Sequence, residues 1–283
     1  MLLNAFVNYN GMVYRSVKLL ISPESRSFRY GDGFFETMKM INGKIPLADL
    51  HFERLFSSLE LLKFEKPDYF TPGYLLEQID EIAKKNQHTK LAKIRLMIFR
   101  GDGGLFDPEN LTPNFLIETS ELDPESNKLN KKGLVVDVYK DARKSCDSFS
   151  VVKSNNYLPQ VMGALWAKEN KLNDAVLINN SNRIAESTIA NIFIVDNGIV
   201  KTPSLSEGCV GGVMRKHLLQ VIREEGIAVQ ETKIKVDDLL NASEVFLTNA
   251  VSNIRWVKKV GESSYESQLA SLLYKKAVAP LVK

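Results

Sequence analysis

The stretch Ser150-Val151-Val152-Lys153-Ser154-Asn155-Asn156-Tyr157 decides how the chain reads. Phe149, Val151 and Lys153 recur at a period of two, so a short β-branched strand is expected, closed by a polar turn at Ser154-Asn155-Asn156. Leu158-Pro159 then opens an amphipathic helix expected to run through Lys171, with proline in the first turn, where its missing N–H leaves no bond unmade. Lys153 therefore ends a strand between apolar neighbours. Two readings stand for such a lysine. Its amine snorkels to solvent along an anchored stem, or it is a partly desolvated nucleophile that forms an imine with a carbonyl compound.

A second stretch bears on that choice. Residues 182–195 carry one acid, Glu186, in a run of apolar and small residues that continues into a strand. An acid in such a run is costly unless a positive partner faces it. The ring nitrogen of pyridoxal 5'-phosphate offers one, because a carboxylate beside it keeps it protonated and makes the ring an electron sink. Val152-Lys153-Ser154-Asn155-Asn156-Tyr157-Leu158 followed by Ala185-Glu186-Ser187-Thr188-Ile189-Ala190-Asn191-Ile192-Phe193 resembles the class IV aminotransferases, the fold-type IV pyridoxal phosphate enzymes. That family includes branched-chain and D-amino acid aminotransferases and aminodeoxychorismate lyase. The resemblance covers nearly the whole chain. It implies an α/β (α+β) fold of two domains with the cofactor between them. It makes Lys153 the cofactor's covalent anchor and proton carrier, sets Glu186 at the pyridine nitrogen and Tyr157 at the ring hydroxyl, and implies a homodimer.

Toward the N-terminus, residues 3–15 read as a hairpin around Asn10-Gly11. A second hairpin is expected from Phe28 to Ile45, turning at Asn42-Gly43. Its Tyr30-Gly31-Asp32-Gly33-Phe34-Phe35-Glu36 matches the family segment that borders the active site, which implies substrate contacts at Tyr30 and Phe35. Thr37 stands where the family's lyases use a threonine. Asp49 is expected to cap a helix with an apolar stripe from Leu50 to Leu62. Arg54, in His51-Phe52-Glu53-Arg54-Leu55, reads as a solvated helix arginine or, by resemblance, as a ligand of the cofactor phosphate. Residues 72–85 form the next helix and 92–100 a strand. Arg100, before Gly101-Asp102-Gly103-Gly104, binds a substrate carboxylate or simply ends that strand. After a strand at 113–118, the polar, unpatterned residues 119–132 are the expected linker between domains at 1–118 and 133–283.

In the second half, strands are expected at 133–139, 174–179, 183–185, 190–195, 199–201 and 244–251, with a C-terminal helix over 265–278. Asp237-Asp238 is expected to cap a short helix. Glu207-Gly208-Cys209-Val210-Gly211-Gly212-Val213-Met214-Arg215 leads into a helix through Glu225. Glycines that open a helix leave N–H donors for an anion. The spacing is neither that of a Walker loop nor that of a dinucleotide fold, which argues against nucleotide binding. By resemblance the Val213 and Met214 backbone holds the cofactor phosphate. Asn249-Ala250 falls at a further family contact, where branched-chain enzymes carry Gly-Thr.

The chain has 283 residues, 44% of them hydrophobic and 25% charged, which is the composition of a soluble globular protein with one large domain or two ordinary ones. A net charge of +3 is too small to point to nucleic acid. Cys146 and Cys209 are expected as reduced thiols in a cytoplasmic protein. No secretory leader, membrane span or metal-ligand cluster is expected, and His51, His88 and His217 are scattered. The expected activity is amino transfer between a small or apolar amino acid and a 2-oxo acid, given the apolar Phe34, Phe35, Leu105 and Phe106. The alternative is aminodeoxychorismate lyase, which forms 4-aminobenzoate and pyruvate, and which Thr37, the compact length and Asn249-Ala250 favour. A non-catalytic cofactor binder is the remote third reading, since the reactive lysine and its acidic counterpart are both present.

Overall fold

The structure, a computed structural model, describes residues 5–18 and 21–282. Leu3 and Asn4, expected in the first strand, lie outside the described residues. The chain divides into two compact units, one of Met1–Pro124 with Lys153–Asn156, the other of Glu125–Val152 with Tyr157–Lys283.

The first unit holds an antiparallel sheet in the order β2-β1-β5-β4-β3, built from β1 (Phe6–Tyr9), β2 (Met12–Arg15), β3 (Gly33–Ile41), β4 (Leu91–Arg100) and β5 (Pro113–Glu121). Asn10 and Gly11 turn the first hairpin with φ of 51° and 84°, the positive pair a tight hairpin needs. A short helix not foreseen, α1 (Arg26–Tyr30), ends at Gly31, whose φ of 64° favours glycine. The second expected hairpin is reduced to one bridge, Ile41 with Lys44. Pro46 has no N–H to extend it, and β3 pairs instead with β4 along its whole length. Leu47, not Asp49, precedes α2 (Ala48–Leu61), and Asp49 sits in its first turn. Helix α2 buries Phe52, Leu55 and Leu59; α3 (Pro72–Lys85), capped by the Thr71 hydroxyl, buries Leu75, Ile79 and Ile82. The expected linker is shorter than its composition suggests. Thr119, Ser120 and Glu121 are the end of β5, paired with Ile94, Lys93 and Ala92, and the buried Thr119 hydroxyl is held by His88 and Asn86.

The second unit holds a larger sheet in the order β11-β10-β9-β12-β13-β6-β7-β8. Its strands are β6 (Leu134–Lys144), β7 (Asp174–Asn179), β8 (Ile184–Ser187), β9 (Asn191–Asp196), β10 (Ile199–Pro203), β11 (Val229–Thr232), β12 (Glu244–Asn249) and β13 (Asn253–Val260), with β14 (Ser263–Ser264) paired to β13. Strands β7, β8 and β9 are buried along nearly their whole length, as in a sheet covered on both faces. Around them pack α4 (Leu158–Glu169), α5 (Val213–Glu224), α6 (Val236–Leu240) and α7 (Gln268–Leu273). Lys235, rather than the aspartates, precedes α6, and Asp238 accepts its N–H at 2.7 Å. The C-terminal helix starts three residues later than expected and widens to π geometry over Tyr274–Val278.

Candidate active site

Residues 148–151 form a turn, not the expected strand. Asp147 is the cause: its Oδ1 accepts the Phe149 N–H and the Ser150 hydroxyl, each at 3.0 Å, and a side chain that bonds its own local backbone competes with extended structure. The chain straightens only at Lys153. There it joins the first unit, along the open edge of β3: Phe35 N–H donates to Lys153 O at 3.0 Å, Asn155 N–H donates to Gly33 O at 2.9 Å, and Ser154 bridges Phe34. Gly33 makes the close approach possible, since a Cβ there would lie 2.5 Å from Ile98 O and 2.9 Å from Asn155 Nδ2.

This fastening fixes the Lys153 stem. Its Nζ lies 4.5 Å from the centroid of the Phe35 ring. The Arg95 guanidinium lies over the same ring, 3.9 Å from its centroid. Thr37 follows Phe35 at the strand period and pairs with Arg95 in register. Phe35, Thr37, Arg95 and Lys153 therefore share one face of the first unit. Arg95 was not foreseen, because an arginine at an alternating position of β4 reads as a solvated residue until the β3–β4 register is known.

On the opposite face of β3, Glu36 is buried and holds Arg54 by two bonds, Nε to Oε1 at 2.7 Å and Nη2 to Oε2 at 2.6 Å. His51, one helical turn before Arg54, meets Oε2 at 2.7 Å. Burial alone would push the Glu36 carboxyl up; the charge and hydrogen bonds of Arg54 and His51 outweigh it and hold the group at about 2. Arg100 is engaged within its own unit. It pairs with Asp32, donates to the Leu62 carbonyl and lies over the Phe64 ring at 4.3 Å. Asp32 also pairs with Arg26 at 2.9 Å, and Tyr30 packs against Arg26 and Phe106.

The other site candidates belong to the second unit. Glu186, 4% exposed on β8, accepts the Val210 N–H on Oε2 at 2.9 Å. On Oε1 it meets Lys144 Nζ at 2.9 Å and Gln160 Nε2 at 3.1 Å. The positive partner demanded of this acid thus exists within the chain, in a lysine that was not singled out. Val210 links Glu186 to the start of α5: its carbonyl accepts the Gly212 N–H and Asn191 Nδ2, both at 2.8 Å. A Cβ on Gly212 would lie 1.9 Å from Asn191 Oδ1, so only glycine allows this fold-back. The first helical bond of α5 runs from Lys216 N–H to Gly212 O, so Val213 and Met214 open the helix with N–H groups that make no intrahelical bond. The Met214 side chain is buried. Asn249 folds an Asx turn, its Oδ1 accepting the Val251 and Ser252 N–H groups at 3.0 and 2.6 Å, with Ala250 inside it. Tyr157 is the N-cap residue of α4. Among the described residues no helix is long and apolar enough to cross a membrane, and no cluster of His, Cys, Asp and Glu is arranged to hold a metal.

A family model for class IV amino-transferases matches residues 33–260. The aminodeoxychorismate lyase of Bacillus subtilis (strain 168) is 30% identical over 286 residues, an overlap of 96% of this chain and 94% of the lyase. A putative branched-chain-amino-acid aminotransferase of Methanocaldococcus jannaschii is 29% identical over 248 residues, covering 87% and 84%. The solved branched-chain aminotransferase of the thermophilic archaeon Thermoproteus uzoniensis, with norvaline, shares the fold with a TM-score of 0.87 at 21% identity, over 98% of this chain and 95% of that one. A match that spans both the Lys153 and the Glu186 stretches, with relatives that run the length of the chain, makes this protein an enzyme of the amino-transferase class IV family.

Proposed function

We propose that the enzyme uses pyridoxal 5'-phosphate to move an amino group between a small or apolar amino acid and a 2-oxo acid. The residues fit the cofactor. Gly212 gives the bare backbone that a phosphate needs at the opening of α5, and Glu186 is a buried carboxylate ringed by donors. When bound, the cofactor supplies an electron sink for charge at the substrate α-carbon. Lys153 anchors the cofactor and carries the α-proton at its Nζ. Glu186 holds the ring-nitrogen proton, and Tyr157 bonds the ring hydroxyl. Arg54, oriented by Glu36, and the backbone of Val213 and Met214 bind phosphate; Asn249 and Ala250 contribute main chain. Arg95 takes the substrate carboxylate by its two-pronged geometry, while Phe35 and Tyr30 shape the apolar side.

The observation that carries this reading is the Lys153 amine held over Phe35 beside Arg95. The test is to incubate the holoenzyme with 2-oxoglutarate and a panel of L- and D-amino acids. Oxo-acid release matched by glutamate supports it; no transfer with any donor sinks it.

Thr37 favours a second reading, the lyase, because the strand period puts it on the same face of β3 as Phe35, over which Lys153 lies. Release of pyruvate and 4-aminobenzoate from aminodeoxychorismate, lost in Thr37→Val, would establish it. We place the enzyme in the cytoplasm, in keeping with its two free thiols, and as a homodimer. Leu158, Val161, Met162 and Leu165 form an apolar stripe on α4, 43–70% exposed in the single chain. A monodisperse monomer by sedimentation would refute the dimer.

A further inference from the structure

Glu186 does not wait for a cofactor to find its counter-charge. Lys144 ends β6, Glu186 stands on β8, and β7 runs between them. Their side chains meet across that strand, 11% and 5% exposed. A bulge makes this possible. The β6 register shifts between Tyr139 and Arg143, so that Lys144 comes to lie opposite Asn179 at the end of β7; bulges re-aim side chains in this way. Gln160, in the first turn of α4, adds a second donor to the same oxygen, and its own Oε1 is buried without a hydrogen-bond partner. The amide can point only this way, because a carboxylate accepts and does not donate.

Counting acceptor sites gives the arrangement a purpose. A carboxylate has about four lone-pair sites, two on each oxygen. Lys144 and Gln160 fill those of Oε1, and Val210 N–H takes one on Oε2. One remains, on Oε2. Cys209, whose thiol burial pushes up to about 12, also interacts with Glu186 and Lys144, with Arg215 beyond it. Lys144 is the basic side chain that contacts Glu186 directly.

The geometry points to Lys144 as a positioning residue, a resident counter-ion that keeps Glu186 charged and in one orientation in the cofactor-free protein. Gln160 fixes its rotation, so an incoming pyridine N–H meets an ionised oxygen with one vacant lone pair. The inference rests on the cofactor reading above. The plainer alternative is that Lys144 merely braces the second unit. In that case its loss costs the protein equally with and without cofactor. In the role assigned here, its loss also weakens cofactor binding, so the cofactor-bound form loses more stability than the cofactor-free form.

The experiment compares wild type, Lys144→Gln and Lys144→Arg. Binding of pyridoxal 5'-phosphate to the cofactor-free protein is followed calorimetrically in two buffers of different ionisation enthalpy, which counts protons. If Lys144 is the counter-ion of the buried carboxylate, its loss leaves a proton to be released when the cofactor binds. The expected result is up to one extra proton released by Lys144→Gln and none by Lys144→Arg. The Kd of Lys144→Gln should exceed that of wild type by a ratio that grows by up to about tenfold for each unit that pH falls, and its melting deficit should be larger with cofactor bound than without. Equal proton counts in wild type and Lys144→Gln overturn the inference, as does an equal melting deficit in both forms. So does a Lys144→Gln protein that fails to fold with cofactor present throughout. A wild-type protein that binds no pyridoxal 5'-phosphate would instead defeat the functional reading beneath it.

Discussion

Arg54 and Glu36 meet by a fork-to-fork contact in which the acid is the deeper member: its side chain is 1% exposed, that of Arg54 16%. An arginine held by Nε and Nη2 has its plane fixed, so the rest of its guanidinium points where the pair dictates. Removing one partner of such a pair leaves a buried charge, typically at ~3–5 kcal/mol. Arg54→Ala should therefore do two things at once: weaken cofactor binding by about tenfold or more and lower stability. Arg54→Ala with Glu36→Gln should recover most of the stability and none of the affinity. Chemical unfolding and cofactor titration read the two effects separately, and unchanged affinity would return Arg54 to a structural role.

The same pair sets an acid limit. The Glu36 carboxyl is lowered from 4.5 to about 2 in the folded protein. A depressed acid stabilises the fold above its unfolded value, and that contribution is lost as pH falls through the folded one. The window is thus about 4.5 down to 2, and the contribution is roughly 3 kcal/mol at neutral pH. Urea unfolding followed across that range should show the loss in wild type and a flatter profile in Glu36→Gln.

Lys153→Ala should keep the fold, because the bonds to Phe35 and Gly33 are made by backbone. It should abolish turnover. Borohydride reduction of the wild-type holoenzyme followed by peptide mapping should place the adduct on Lys153; an adduct on any other lysine would show that the wrong residue has been assigned.

Arg95→Ala removes a half-buried cation without breaking β4. A charge-assisted bond to a carboxylate is worth ~1.5–3 kcal/mol, so KM for the amino acid should rise by about ten- to a hundred-fold. Melting temperature should change little. A change in kcat with KM intact would argue against a carboxylate-binding role.

Gly212→Ala places a methyl 1.9 Å from Asn191 Oδ1 and 3.3 Å from Arg215 Cβ. Relief requires moving the start of α5, at a cost of ~1–3 kcal/mol. Cofactor affinity should fall with stability, whereas Gly43→Ala, with nothing within 4 Å of its Cβ, should leave affinity untouched although its positive φ strains an alanine.

What could be read from the chain was chemistry written in short, local spelling. Lys153, Glu186 and the glycine opening of α5 carry their signal within a few neighbours. What escaped depends on pairing. Arg95 acquires its place from the β3–β4 register, and Lys144 from a bulge that no periodicity announces. The turn at 148–151 was hidden because Asp147, just upstream, overrides β-branched residues that favour a strand. Thr119 to Glu121 look like linker by composition, yet their backbone completes β5.

The four residues Lys153–Asn156 belong to the first unit while the chain on either side belongs to the second. Neither unit is therefore a continuous piece of polypeptide, and cutting the gene near residue 124 would separate the reactive lysine from the strand that holds it. Synthesis meets the same constraint. As the chain leaves the ribosome, the outer edge of β3 has no partner for the segment it will bind until residue 156 has emerged. During that interval the first unit carries an exposed edge, the kind of surface that recruits other chains. Halting synthesis after residue 124 has emerged but before residue 156 has done so should raise aggregation more than the same halt once residue 160 has emerged.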